Sequence, residues 1–561
     1  MAQPRTPHAR AQNDFTINAP SDGIHLQPVD SQLGWPCAPH AAPCQWRGVV
    51  HPQKLTQDVA TCRRLKGEQM IDQRRCFTSL FSMALSLRFV SMVRSLLLSL
   101  FALAFAQGGY WSALAADDFS LEQKRPSIKA DRSQEDWSLL ADPKLRNEPL
   151  DSLKYIPLFP NNPDSYISLG LNLREIFEVS DAPAFGTVPA NPTDSYWLQR
   201  AQFQIDVHLN ENWQLFTQFE DVRAFDKTMV SPNDANRFDL RLAFIGYTQE
   251  TDLGTFRARV GRQDFAFDLE RFVSVRDGPN VRQAFDAVWA GWETEAWRFY
   301  GLVSQPVHYR DDNPFDDRSS GDALFSGVRV ERQLSPTIEA STYYALYQRK
   351  DATFLTASGE EDRHVLDIRS AGKYAGFDWD AEAMGQVGQV GSAGILAWAV
   401  GARTGYTFED VPWSPRIGLQ FDVASGDRDA SDGTLGTFNP LFPNGFYFSL
   451  GGHTGYANLI HLKPSITVQP TEDLTLMAGA GLLWRQTTQD AVYTLPSVPV
   501  AGTAGSGPAW TGAYAQVKAD YRFNPNLTGS LEAVHYQVGS ALQAVGGCDS
   551  NYLRAELKLA W

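Results

Sequence analysis

Apolar and polar residues alternate through the last stretch of the chain, positions 551–561. Leu553, Ala555, Leu557, Leu559 and Trp561 fall on one face, and Tyr552, Arg554, Glu556 and Lys558 fall on the other. A period of two predicts a strand, because successive side chains point to opposite sides of the pleat. About ten residues, apolar on one face and charged on the other, form the repeating unit of a membrane-spanning β-barrel. There hydrocarbon selects one face and water the other.

The pattern recurs from Ser165 onward. Ile167, Leu169, Leu171 and Leu173 alternate with Ser168, Gly170, Asn172 and Arg174. Phe203, Ile205, Val207 and Leu209 alternate with Gln202, Gln204, Asp206 and His208. Phe238, Leu240, Leu242 and Phe244 alternate with Asp239, Arg241 and Ala243. Placing an Arg or Lys on the lipid face near the midplane costs about 2–4 kcal/mol, which accounts for such segregation. One stretch breaks it: in 213–223, Phe216 shares parity with Gln214, Gln218 and Glu220. The periodicity predicts eighteen strands, at 165–179, 197–209, 213–223, 237–248, 254–263, 285–293, 297–306, 323–333, 337–348, 363–375, 377–390, 395–408, 416–424, 458–468, 474–486, 511–522, 527–537 and 551–561.

The connections alternate in length. Short ones fall at 210–212, 334–336, 470–473 and 524–526. Long ones fall at 180–196, 224–236, 264–284, 307–322, 349–362, 425–457, 487–510 and 538–550, while the junction at 391–394 is short out of turn. Short periplasmic turns and long extracellular loops are what insertion from one side produces. The expected fold is therefore all-β, a closed antiparallel transmembrane β-barrel over residues 165–561. A secreted, soluble all-β protein is the alternative.

Composition fits this picture. Hydrophobic residues make up 43% of the chain and mean hydropathy is −0.30, which excludes a bundle of membrane helices. It does not exclude a barrel, where half of each strand faces a polar interior. The aromatic share of 12%, with 15 Trp, fits interfacial girdles.

The segment ahead of the strands divides in three. Residues 1–82 lack a sustained period and are expected to be a non-native or disordered extension, with a small domain as the alternative. Residues 83–115 read as a signal peptide: Arg88 and Arg94 flank an apolar core at 96–106, and Ala113-Leu114-Ala115 is a small-x-small site, with cleavage expected after Ala115. Residues 116–164 are polar and Pro-interrupted, expected as a periplasmic N-terminal segment. A lumen-entering plug around 135–137 and 154–158 is the other reading. Four of the five Cys (Cys37, Cys44, Cys62, Cys76) precede the expected cleavage site, at spacings that suggest no metal site. The formal charge of −15 becomes more acidic once the basic leader is removed, so nucleic acid is not an expected partner.

The candidate chemistry is arginine. Arg257, Arg259, Arg262, Arg271, Arg276 and Arg282 cluster around the fifth strand and the loop that follows it, with Arg241 nearby. Parity adds Arg174, Arg200, Arg329, Arg369, Arg416, Arg485, Lys518 and Arg522 to the inward face, together with Asp206, Glu220, Asp239, Glu331, Asp367, Asp422, Asp520 and Glu532, so parity leaves the sign of the lumen open. A basic loop folded into a barrel narrows it and concentrates anions. The competing reading is a solvated loop whose arginines pair with Asp264, Asp268, Glu270 and Asp277. Acids at 427–433 suggest calcium, but their spacing departs from a calcium loop and suits a turn equally well.

The run Gly261-Arg262-Gln263, then Arg271, Gly278-Pro279-Asn280, Arg282 and Phe285-Asp286, resembles the alginate export family of bacterial outer-membrane proteins. So do Asp422-Val423-Ala424-Ser425-Gly426-Asp427, Gly436-Thr437-Phe438, Pro440-Leu441-Phe442-Pro443 and Leu483-Trp484-Arg485. The final strand, closing on an aromatic, is similar to the outer-membrane sorting signal. The resemblance implies a monomeric eighteen-strand barrel with an arginine-rich lumen that passes an anionic polysaccharide such as alginate.

Two transport functions stand side by side: a conduit for an anionic, alginate-like polysaccharide, and a passive porin for small anions or nutrients. Expected partners are outer-membrane lipid, the transported anion and a periplasmic export-complex protein; no cofactor or metal is expected. A barrel hydrolase would need a nucleophile or acid beside His208, His308, His364, His453, His461 or His535, and none lies in a nucleophile motif.

Overall fold

The protein is described by a computed structural model, which describes residues 125–187, 193–495 and 497–561. The expected extension, signal peptide and cleavage site lie outside the described residues.

Eighteen antiparallel strands close into a barrel. The first six are β1 (Tyr166–Ser180), β2 (Asp194–His208), β3 (Trp213–Phe225), β4 (Asn236–Thr251), β5 (Gly254–Gln263) and β6 (Phe285–Glu293). The next six are β7 (Trp297–His308), β8 (Ala323–Ser335), β9 (Ile338–Thr353), β10 (Ser358–Tyr374), β11 (Phe377–Val390) and β12 (Ala393–Thr407). The last six are β13 (Arg416–Ala424), β14 (Leu459–Thr471), β15 (Leu474–Trp484), β16 (Trp510–Asn524), β17 (Leu527–Val538) and β18 (Ser550–Ala560). β1 pairs with both β2 and β18, with Leu173 opposite Leu559, so the sheet has no free edge at the seam. Among the described residues no helix is long and apolar enough to cross a membrane.

The two faces are distinct. On β10, Leu366 and Ile368 are each 58% exposed while Asp367 between them is fully buried. Hydrocarbon takes the first two and the lumen takes the third. The boundaries of β5, β6, β11 and β13 coincide with the predicted ones.

Two features depart from the periodicity. The long loop expected at 349–362 shrinks to 354–357, because β9 and β10 run on as a pair: Arg349 lies opposite Glu361 and Ala352 opposite Gly359. The Arg349–Glu361 ion pair, at 2.7 Å, and buried Ala352 hold this extension. In β4, Arg241 is the extra residue of a bulge, since Gln218 pairs with Leu242 and Phe219 with Leu240. The bulge flips the parity of β4. Phe238 is exposed, but Leu242 and Phe244 turn inward and Ile245 turns out. Phe216 meets Phe244 at 5.4 Å and packs with Leu242, Ala284 and Val307. The apparent violation in β3 is thus half of an inward apolar cluster.

Residues 125–164 fold as short turns on the inner side of the seam. Trp137, Leu140, Tyr155 and Tyr166 form one buried cluster. Gln214 on β3 donates to the Ser133 carbonyl at 2.8 Å, and the Arg132 guanidinium donates to Asn172 Oδ1 on β1 at 2.5 Å. Gly170 leaves room for the Arg132 and Gln204 side chains; a Cβ there would collide with both.

Candidate permeation path

Two long connections, 264–284 and 425–458, fold into the barrel and join each other. Phe442 N–H donates to the Phe272 carbonyl at 2.9 Å, and Asn444 N–H donates to the Glu270 carbonyl at 3.2 Å. Their aromatic residues are buried against inward residues of the wall. The Phe442 ring lies 4.9 Å from Phe285 on β6, 5.4 Å from Phe325 on β8 and 5.6 Å from Tyr347 on β9. Burying such rings supplies the apolar contact that a loop in water lacks. The sequence signal was available in Phe438, Phe442, Tyr447 and Phe448, which are too apolar for a solvated loop.

Most of the predicted arginines meet carboxylates or carbonyls, several of them on these loops. Arg174 (β1) donates to the carbonyls of Asp277 at 2.5 Å and Pro279 at 2.9 Å. Arg200 (β2) binds the Asp277 carboxylate at 2.5 Å and the Asn280 carbonyl at 3.3 Å. Arg241 pairs with Asp264 at 2.6 Å, and Arg262 with Asp286 at 2.9 Å. Arg271 is fully buried between Asp380, Glu382 and the Tyr447 hydroxyl. Arg329 and Arg369 share Asp268, at 2.6 and 2.8 Å. Arg416 pairs with Asp378 at 2.5 Å.

The remaining predicted arginines are placed differently. Arg485 is enclosed by carbonyls of its own connection, including Asp490, Thr503, Ser506 and Pro508. Arg257 is half exposed with Glu293 at 3.7 Å. Arg259 lies 4.7 Å from the Phe244 ring and 4.0 Å from Asp131. Arg276 bonds Gln283 at 3.3 Å, and no ion pair to it is found among the described residues. Burial pushes its guanidinium below the usual value.

One corner carries an excess of cations. Asp277 lies within 4.0 Å of Arg174, Arg200, Arg282 and Lys558. The crowded wall around it pushes the Asp277 carboxyl up by desolvation, but Arg200, Arg282, Arg174 and Lys558 outweigh this and hold the group well below the usual carboxylate range. Asp264 is likewise raised by burial but brought down by Arg241 and Arg282. Sequence reasoning left Lys558, Arg403 and Lys463 out of the site. Parity with Arg554 would have flagged Lys558. Arg403 and Lys463 donate to the carbonyls of Tyr447 and Phe448, at 3.1 and 2.8 Å, a role that no periodicity reveals.

Ser449 and His453 lie 3.3 Å apart, but the imidazole is stacked between Phe185 and Tyr536, and burial drives it down to about 4. The acids at 427–433 serve as turn caps: Asp429 accepts from Ser431 N–H at 3.0 Å and Asp432 from Thr434 N–H at 2.7 Å. A hollow on the hydrocarbon-facing wall, where Ala478, Gly479, Ala515 and Ala533 leave room, is separate from the path.

A closed barrel with a hydrocarbon-facing exterior, a polar interior and inward-folded loops defines an outer-membrane channel of the porin type. The alginate export family model matches residues 165–556, and the chain belongs to that family. Curated protein sequences include no match. Similar solved structures are outer-membrane proteins of Pseudomonas aeruginosa. OccK3 (OpdO) has 11% identity, with 70% of this chain and 95% of that chain covered and a TM-score of 0.48. OprD has 9% identity, with 73% and 97% covered and a TM-score of 0.46. OccK2 (OpdF), in complex with glucuronate, has 13% identity, with 70% and 98% covered and a TM-score of 0.46.

Proposed function

We propose that this barrel passes anionic solutes bearing carboxylates, uronates first among them, across the outer membrane. The observation that carries this reading is the Asp277 corner, where Arg174, Arg200, Arg282 and Lys558 gather around one carboxylate of an inward loop, with Asp264 and Glu556 the other carboxylates that reach them. Such an imbalance in a low-dielectric wall raises the local anion concentration. The protein contributes no chemistry of its own in this reading; it supplies a selective aqueous path, with Arg276, Arg282 and Lys558 as the cations nearest the solute. The sorting signal and cleavage after Ala115 would deliver it to the membrane.

Two solute sizes remain distinct. Family membership favours an alginate-like polymer. The paired inward loops, with Phe442 packed against three walls, favour small anions. Planar-bilayer recordings separate them. Anion-selective zero-current potentials with block by polyuronate but not by glucuronate support the polymer conduit. Equal block by both supports the small-anion porin. Cation selectivity with no block by either would sink both.

A further inference from the structure

The Asp277 side chain is 42% exposed, while the Arg174, Arg200 and Arg282 side chains around it are only 4%, 6% and 15% exposed. The guanidiniums are therefore set into the wall and the carboxylate is set on top of them, facing the water-filled side. Lys558 on β18 completes the ring from the exposed side at 3.6 Å. Its other partner is Glu556, at 3.0 Å, which is itself bound to Arg554. Asp264 is the only other loop carboxylate touching these four cations among the described residues, and it is shared with Arg241.

The loop does not depend on the Asp277 carboxylate for its position. Arg174 holds the backbone carbonyls of Asp277 and Pro279, and Arg200 holds that of Asn280. The Asn280 amide, 1% exposed, donates to the carbonyls of Gln199, Arg223 and Asp234. These contacts leave the exposed carboxylate free to turn away without unseating the backbone.

We propose that the cations Arg174, Arg200, Arg282 and Lys558 form a carboxylate-binding station, and that Asp277 is its resident stand-in, displaced when a uronate carboxylate arrives. This rests on the anion-path reading above. The exchange swaps one carboxylate for another, so the guanidiniums are never left bare in a desolvated wall, which would be costly. The resident carboxylate also weakens net binding, and a channel needs binding tight enough to admit a solute yet weak enough to release it. Asp277 thus keeps the station from trapping its solute.

The test uses the full barrel in planar bilayers, with chloride current blocked by glucuronate or, where only the polymer blocks, by polyuronate. Asp277→Asn keeps the side-chain size and removes the competing charge. Its half-blocking concentration should fall about two- to fivefold, the scale of one exposed ion pair. Lys558→Gln, which touches none of the loop's backbone anchors, should raise it by a similar factor. A wild-type channel that is blocked, with both variants unchanged, overturns the stand-in and leaves the anion path standing. A wild-type channel that is cation-selective and not blocked overturns the anion path itself.

Discussion

The Arg132 guanidinium donates to the backbone carbonyl of Trp561 at 2.9 Å, tying the segment before the barrel to the end of its last strand. The same carbonyl accepts from Leu171 N–H on β1, so Arg132 sits on the seam where the cylinder closes. Arg132 also pairs with Glu135 at 2.6 Å, and both side chains are almost fully buried. Removing one partner strands the other charge, at a cost of about 3–5 kcal/mol. Arg132→Ala should therefore lower the urea midpoint of the barrel refolded in vesicles. Arg132→Ala combined with Glu135→Gln should recover part of the loss. Equal losses in the single and double variants would show that the pair is not what stabilises the seam.

The barrel was legible because lipid and water impose a two-residue period over many strands, and chance alternation does not persist that long. What periodicity missed lies where this rule is overridden. The Arg241 bulge reverses the faces of β4, and a strand read at fixed parity cannot report it. Arg271 and Arg485 were legible as basic, but their buried partners come from residues distant in sequence or from backbone carbonyls. Sequence names the charges; their pairing needs the fold.

The bulge makes a prediction of its own. Phe216 is 1% exposed inside the wall, whereas Phe203 on β2 is 40% exposed toward hydrocarbon. Phe216→Ala should cost about 3–5 kcal/mol, the usual range for a buried ring. Phe203→Ala should cost clearly less in vesicles, because acyl chains refill the space. Chemical unfolding of both variants in one lipid checks the order. The reverse order would place Phe216 on the outside.

Asn280 should hold the inward-folded 264–284 connection in place. Its amide holds three carbonyls on two strands and the 226–235 connection, and its Oδ1 accepts from Arg174 at 3.2 Å. Asn280→Ala leaves those carbonyls and the Arg174 contact short of a partner, costing about 1–3 kcal/mol locally. Single-channel recordings should show larger and noisier open currents. Unaltered noise would mean that Arg174 and Arg200 hold the loop unaided.

Lys154 gives the segment before the barrel a pH signature. Its ammonium is buried, donates to the Leu169 carbonyl at 2.9 Å, and lies 4.4 Å from the Trp561 ring and 5.1 Å from Trp137. The rings favour the charged form, but burial and then Arg132 disfavour it more strongly, bringing the group from 10.5 to about 7. The unfolded chain therefore binds the extra proton between about pH 7 and 10.5. Stability from this group is full above pH 10.5, is lost as pH falls toward 7, and is flat below that. The urea midpoint of the wild-type barrel should thus rise with pH across this window relative to Lys154→Met, which keeps the chain length without a titrating group. Parallel curves for the two proteins would mean that Trp137 and Trp561 hold the ammonium charged, and the buried lysine would then be a cation–π anchor rather than a titrating one.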